Sequence, residues 1–497
     1  MALVVSIDVL AAGLLIGIVL AKGFEQALPL AASLMMLFPN ESQIQLSGLF
    51  DLTTQRLVVI VLTVLYIAFG KTRDDNGRKR ELPLKYLIAI QIAWMLVSTA
   101  NSVVVGVSFK TVLSQVFDYF LPFYIFTKTV SRVETIHKIL YSLVITMMIC
   151  SAFGAVEAYS GWSVLSLFPV RLGHFGGGIY GAVTDRGIRV QSTFGHPILF
   201  GGALAMAIPL ALYLITVATT TSQRIFLWSG VMLMFLNIYK TSSRGPWLAL
   251  ILSVGILAAL GRNQIRTHIL SVALLALAVL VVRPGVWASI SNIYGATQDP
   301  DSPAGESYQW RYALYDIANK QLGKDFGRAL WGYGPESFFY LGIEDEFQGH
   351  MVKYDSCDSS IAALMIETGY VGFLITTALL LTPAFAGFGS FRKLKIPTNC
   401  LSLVLLTNML AFYFLMTNVA IYGWGQQSYM LWIVIAVSMI YPRLQPVEYI
   451  ADDGVVEDRA ETSFQLVQAV SPRLNCEREA STGSRHFRTS LLESGHY

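Results

Sequence analysis

Basic side chains stand at three places where an apolar chain has little reason to keep them. Arg189 opens the run Arg189-Val190-Gln191-Ser192-Thr193-Phe194-Gly195-His196-Pro197, Lys240 and Arg244 bracket the turn Tyr239-Lys240-Thr241-Ser242-Ser243-Arg244-Gly245-Pro246-Trp247, and Arg311 follows in a polar stretch. A guanidinium is always charged, less strongly hydrated than an ammonium, and forks onto two oxygens at once. Several of them at one membrane surface therefore suit a polyanion such as the diphosphate of a lipid carrier. The hydroxyls of Thr241 to Ser243, with a helix opening at Gly245-Pro246, add donors, because a helix N-terminus favours anions. The plainer account is that Lys240 and Arg244 snorkel to headgroup phosphates. Arg189 and Arg244 together, with Arg311 in the loop above, weigh against it, since such charges are rare near a membrane. His196 has two readings, an interfacial imidazole satisfied by backbone or a supporting member of the anion site.

The elements that must position these groups follow from composition. The chain has 497 residues, 54% of them hydrophobic and 13% charged, which lies outside the range of ordinary soluble proteins. A net charge of +3 is too small to suggest nucleic acid. Apolar runs at 2–21, 26–39, 55–70, 84–101, 109–127, 137–156, 193–216, 225–240, 245–261, 267–283, 359–386, 400–420 and 427–441 approach the length needed to cross a bilayer. They predict an all-α, polytopic membrane bundle of about 12–13 spans, the run at 26–39 being short and interrupted by Pro29. The first run lacks a basic leader and reads as a retained span.

Lys71, Arg73, Arg78, Lys79, Arg80 and Lys85 mark one loop as cytoplasmic. Alternation then places the basic flanks at Lys128/Arg132/Lys138, Arg224, Arg262/Arg266 and Arg392/Lys393/Lys395 on the same side. It puts 157–192 and 284–358 outside, so that Arg171, Arg186, Arg189, Lys240, Arg244 and Arg311 break the rule that produced the topology. The domain thus runs over 1–441 with one large outer loop at about 284–358, which Pro284, Pro300, Pro303, Gly332 and Gly334 keep out of the hydrocarbon. Residues 442–497 read as a disordered cytoplasmic tail. Within the loop, Trp310, Ala313, Leu314, Ile317, Ala318 and Leu322 recur at helical spacing, and Gly332-Tyr333-Gly334-Pro335 reads as a turn. Aromatic residues there, Trp310 and Tyr354 among them, either stack on sugar rings or act as anchors.

Other chemistry is not expected. Asp299-Pro300-Asp301 matches a metal-binding pair only by spacing common in loops, no zinc-like cluster appears, and neither metal nor cofactor is predicted. The four cysteines do not form a disulfide framework. Asp118 is the main ionisable group inside a span, the feature a transporter would use.

Three stretches taken together resemble the bacterial O-antigen ligase and O-antigen or exopolysaccharide polymerase superfamily of membrane glycosyltransferases: Arg189 to Pro197, Thr241 to Leu248, and Tyr354 to Gly372 with Glu367-Thr368-Gly369-Tyr370-Val371-Gly372. The resemblance is good from about 185 to 440 and absent in the tail. It implies an inverting, metal-independent transfer of glycan from an undecaprenyl-diphosphate-linked donor to a saccharide acceptor, on the periplasmic side of the bacterial inner membrane. Arg189, Arg244 and Arg311 would hold the diphosphate and stabilise negative charge developing on the leaving group, which gives Arg244 a catalytic role. Ligases of this group carry a His before the Glu-x-Gly segment, and this chain has Asp358 there. Asp358 is then the first candidate for general base and His350 the second, although Asp358 could instead only cap the next helix, a task open to Ser359 or Ser360 as well. Glu367 falls about half a turn around an ideal helix from Asp358 and reads as a supporting group, as do His196 and Lys240. The aspartate resembles polymerases of lipid-linked repeat units more than ligases acting on lipid A core. A lipid-linked saccharide flippase is the alternative from another class. Partners implied are membrane lipid and a chain-length regulator or export complex.

Overall fold

A computed structural model describes residues 2–40, 42–44, 51–70, 81–168, 188–261, 263–282, 284–299, 301–393, 400–423 and 425–444. Arg171, Arg186 and the tail from 445 onward lie outside the described residues. Without water to satisfy its amides an apolar chain must bond them internally, and the described chain is overwhelmingly helical. In order come α1 (Ala2–Lys22), α2 (Leu28–Leu37), α3 (Thr54–Phe69), α4 (Lys85–Ala100), α5 (Val105–Gln115), α6 (Leu121–Thr129), α7 (Val133–Ser160), α8 (Pro197–Val217), α9 (Thr221–Lys240), α10 (Arg244–Leu260) and α11 (Asn263–Val282). The polar segment supplies α12 (Pro284–Gln298), α13 (Pro303–Leu322) and α14 (Phe326–Trp331), and α15 (Ser360–Lys393), α16 (Cys400–Met416) and α17 (Gln426–Leu444) complete the bundle. Two small hairpins, β1 (Gln43–Ile44) with β2 (Leu52–Thr53) and β3 (Glu344–Phe347) with β4 (His350–Lys353), are antiparallel.

Every apolar run expected from the sequence is helical, that at 109–127 as α5 and α6 joined by a π-helical turn over Val116–Phe120. Among the described residues, α1, α7, α8 and Ser360–Gly389 of α15 are long and apolar enough to cross a membrane. Polar contacts join helix ends at two places. At one, Ser131 N and Oγ donate to Glu25 at 2.9 and 2.6 Å, and Lys138 Nζ to Gln26 at 2.8 Å. At the other, Gln426 Nε2 donates to the carbonyls of Phe38 (3.0 Å) and Thr193 (2.8 Å). At the centre stands α8, apolar on every face and buried along nearly its whole length, as a helix without a polar stripe must be.

The loop folds as a roof with a core of its own. In α13 the predicted apolar stripe is buried through Leu314, Ile317, Ala318 and Leu322. Trp310 stacks on Tyr354 at 4.3 Å and meets the edge of Phe347 at 5.2 Å, so these rings serve the roof's packing. The predicted turn at Gly332-Tyr333-Gly334 is present, both glycines having positive φ.

That turn grips α15 where α15 is broken. Gly369 has φ +69 and ψ 178 inside the helix, which interrupts the bonding ladder of the preceding turn. Tyr333 N donates to Ile366 O (2.9 Å) and Gly334 N to Glu367 O (2.8 Å), while Ser98 Oγ reaches Glu367 O (2.8 Å) and Trp94 Nε1 reaches Thr368 O (2.9 Å). The Glu367 carboxylate accepts the N–H groups of Glu336 and Phe338. Only glycine fits the contact: a Cβ on Gly332 would stand 2.5 Å from the carbonyl of Glu367, and one on Gly369 would meet the backbone of Leu330. We predict that Gly369→Ala lowers stability by about 1–3 kcal/mol through backbone strain alone, and by more once the contact is counted; thermal unfolding of the purified protein in detergent measures it, with Gly13→Ala in the open face of α1 as the neutral control.

Candidate functional site

The run from Arg189 to Pro197 is held from both flanks. Glu157, at the end of α7, accepts Gln191 N (3.2 Å) and Ser192 N (2.8 Å) through Oε2, and Val190 N donates to Lys240 O (3.2 Å). Arg189 therefore reaches the α9–α10 turn, where its Nε donates to Thr241 O (3.2 Å) and its Nη2 to Ser243 Oγ (2.9 Å). The turn itself is tight, with Ser242 at φ +48, and Trp247 Nε1 closes it onto Ile238 O at 2.7 Å. Arg244 follows at the first position of α10 and donates to Thr297 of α12. Arg189 and Arg244 thus share one turn: the first staples it and the second links it to the roof. Lys240 Nζ lies over the Tyr159 ring at 5.5 Å, which makes it a wall of this region.

His196 caps α8, with Nδ1 accepting Ile198 N at 3.2 Å. That bond requires an unprotonated Nδ1, so the neutral ring carries its proton on Nε2 as a donor. Arg189 and Arg311 both lie within electrostatic reach of this ring. Arg311 comes from α13, where its Nε donates to Asn418 O (2.8 Å) and its Nη1 to Ser307 O (3.2 Å), tying the roof to the α16–α17 connection.

Asp358 enters the same neighbourhood from the far end of the roof. The segment before α15 is fixed by its serines. Ser359 Oγ accepts Ala362 N (3.3 Å) and donates to the Tyr315 hydroxyl (3.0 Å), while Ser360 Oγ donates to Val419 O (3.0 Å) and accepts Ile421 N and Tyr422 N. Ser359 is thus the helix cap, and Asp358 is left to face Arg311. Burial pushes its carboxyl above the usual aspartate range and the Arg311 charge opposes the shift. His350 lies exposed on β4, without such a setting. Glu367 clasps the backbone of Glu336 and Phe338 in the roof turn, and Asp358 lies outside the helix, so ideal-helix geometry does not set the angle between them.

Cys357 and Ser360 also border a feature the sequence reading missed. A cavity of about 430 Å³ opens between α3, α5, the π-turn, the roof and α15, and Arg56, Lys110, Asp118, Glu336 and Glu367 are among the residues lining it. Arg56 pairs with Asp118 in a fork, Nε to Oδ1 at 3.0 Å and Nη2 to Oδ2 at 2.8 Å, and the Tyr429 hydroxyl adds a third bond to the carboxylate at 2.9 Å. Asp118, weighed from the sequence as an ionisable group for transport, is thus neutralised in place. The signal for Arg56 and Lys110 was available: alternation places both at outer ends of their helices, in breach of the same charge rule that singled out Arg189 and Arg244.

Residues 229–377 match a family model described as O-antigen ligase. No curated protein matches the chain. The matched segment runs from α9 to beyond the break in α15 and includes two of the three stretches that carry the resemblance, Thr241 to Leu248 and Tyr354 to Gly372. It contains Lys240, Arg244, Arg311, His350, Asp358 and Glu367, while Arg189, His196 and Arg56 precede it.

The division of labour between Asp358 and Ser359 can be measured. Ser359→Ala should cost roughly 1 kcal/mol of stability through loss of the cap, and Asp358→Asn should cost none by that route. Chemical unfolding of both variants checks this; an Asp358→Asn protein destabilised as much as Ser359→Ala would return Asp358 to a capping role.

Proposed function

We propose that the protein is a membrane glycosyltransferase that joins undecaprenyl-diphosphate-linked saccharide repeat units, a polymerase acting at the outer face of the bacterial inner membrane. The observation that supports this most is the convergence of Arg189 and Arg311 on His196, with Arg311 also facing the half-buried Asp358. Cations suited to a diphosphate and a carboxylate suited to a hydroxyl proton therefore lie in one neighbourhood. The match to the O-antigen ligase family model supports the reaction class, and Asp358 where ligases carry histidine favours polymerisation over ligation to lipid A core.

In this reading the guanidiniums of Arg189, Arg244 and Arg311 and the Nε2–H of His196 receive the donor diphosphate. The acceptor hydroxyl oxygen attacks the anomeric carbon opposite the leaving group and passes its proton to the Asp358 carboxylate. The bond between the anomeric carbon and the phosphate oxygen breaks, its electron pair stays with the diphosphate, and the new linkage has inverted configuration. Charge grows on the departing phosphate during the step, so donors fixed in advance lower the barrier. Binding the ground state alone would not raise the rate.

Loss of one such donor typically costs about 10²–10³ in rate, and Arg311→Ala should fall in that range. Arg244→Lys should fail as well, because a point charge does not reproduce the fork; normal polymer from the lysine variant would remove the bidentate contact. Mass analysis of lipid-linked glycans in cells lacking the protein separates the two members of the class: single repeat units accumulate if a polymerase is lost, and finished polymer remains on the carrier if a ligase is lost.

The pH profile offers an independent check. Asp358 acts as a base only when ionised, so activity should fall as pH drops through its raised pKa. Arg311 holds that pKa down, so Arg311→Gln should move the acidic limb of the rate to higher pH, while an unmoved limb would assign the titration to another group.

A further inference from the structure

The cavity beside the Arg56–Asp118 pair is unlike the arginine cluster in charge. Asp51, Asp118, Glu336 and Glu367 line it together with Arg56 and Lys110; the Arg56–Asp118 pair cancels its own charge, which leaves three carboxyl groups against Lys110. Such a wall disfavours a diphosphate by like-charge repulsion, and the low-dielectric surroundings strengthen the effect. Its other groups suit a saccharide. The rings of Phe339, Tyr340 and Tyr422 offer faces for pyranose C–H groups, and carboxylates accept pairs of hydroxyl hydrogens. Two further polar atoms on the lining residues, Gln115 Oε1 and the Tyr422 hydroxyl, are buried without a hydrogen-bond partner. Each such atom costs free energy until something bonds it, and rotation of its side chain toward the cavity would let a sugar hydroxyl do so.

The cavity also ends at the right place. Cys357 and Ser360 are part of its wall, and between them in the chain Asp358 turns to Arg311. This short segment thus contributes to the cavity wall and carries the carboxylate that Arg311 influences, which puts it at the boundary of the two subsites.

We propose that this cavity is the acceptor subsite, that it takes the phosphate-free end of a saccharide, and that its acid-rich lining sorts the two substrates by excluding the donor's diphosphate. The assignment rests on the glycosyltransferase reading but is tested without turnover. The full-length protein in lipid nanodiscs is offered two probes: the carrier-free oligosaccharide released from the host's own lipid-linked repeat units, read by saturation-transfer NMR, and undecaprenyl diphosphate alone, read by displacement of radiolabelled lipid.

The two probes should bind without competing. Tyr422→Phe and Glu336→Gln, both conservative and both checked for unchanged thermal unfolding, should weaken the oligosaccharide about tenfold, or about 1.4 kcal/mol, and leave undecaprenyl diphosphate unchanged; Arg311→Ala should do the reverse. In Glu336→Lys, which inverts one charge of the wall, the lipid diphosphate should begin to compete with the oligosaccharide. Failure of the wild type to bind the oligosaccharide, equal binding by both cavity variants, or competition in the wild type would each overturn the assignment. In those cases the glycosyltransferase reading would still be decided by the glycan analysis above. Occupation of the cavity by a phospholipid headgroup would show as oligosaccharide binding that falls with lipid phosphate and would likewise overturn it.

Discussion

An interrupted helix in an apolar protein must find partners for the carbonyls it leaves behind, and the rest of this structure depends on how α15 does so. Irregular backbone is tolerated near a membrane only where protein surrounds it. The break at Gly369 frees Ile366 O and Glu367 O, and the roof turn at Tyr333 and Gly334 supplies the missing N–H groups. The bonds run both ways, because the Glu367 side chain accepts N–H groups from the same roof. A loop that spans α12 to β4 is thereby indexed to the bundle at one fixed height. Without that clasp, neither Arg311 nor Asp358 would have a defined position relative to Arg189 and Arg244.

The second anchor of the roof lies at the α16–α17 connection. Arg311 gives one donor to Asn418 O, the Tyr315 hydroxyl bonds Thr417 O at 2.9 Å, and Ser360 bonds Val419 O. These are bonds to backbone carbonyls, which fix direction without demanding a particular side chain in return. Two of the three arginines singled out from the sequence thus hold local structure. Arg189 shapes the turn that presents Arg244, and Arg311 fastens α13. An alanine at either place would remove a charge and loosen its setting together, which is why the conservative variants carry more information than deletions.

Much of this was legible in the chain because the physics involved is local. Apolar runs became helices where they were expected, α13 kept the stripe of Leu314, Ile317 and Ala318, and the glycines at 332 and 334 turned as glycines do. What was not legible is long-range. Asp118 reads as a lone acid in an apolar run until Arg56, sixty-two positions earlier, is folded against it. The break at Gly369 is invisible to periodicity, since the apolar pattern continues across it, and it makes ideal-helix geometry a poor guide to Glu367. Asp358 looked like one of several caps, and only the bond from Ala362 N to Ser359 Oγ separates the cap from the acid.

Charge placement gives the site its logic. Arg189 and Arg311 lie within electrostatic reach of His196, and Arg311 of Asp358, while Asp51, Asp118, Glu336 and Glu367 line the cavity that Cys357 and Ser360 border. A transferase that brings two related saccharides together must avoid binding either in the other's place, and shape alone discriminates poorly between glycans of similar size. Phosphate is the one feature that distinguishes a donor's reacting end from an acceptor's. Sorting by charge therefore exploits the largest free-energy difference between the two ligands, and like-charge exclusion can supply several kcal/mol where an added hydroxyl contact supplies about one. An aspartate at the boundary suits that arrangement better than an imidazole would: it adds to the negative side when ionised, and the nearby guanidinium opposes the rise in pKa that its burial causes.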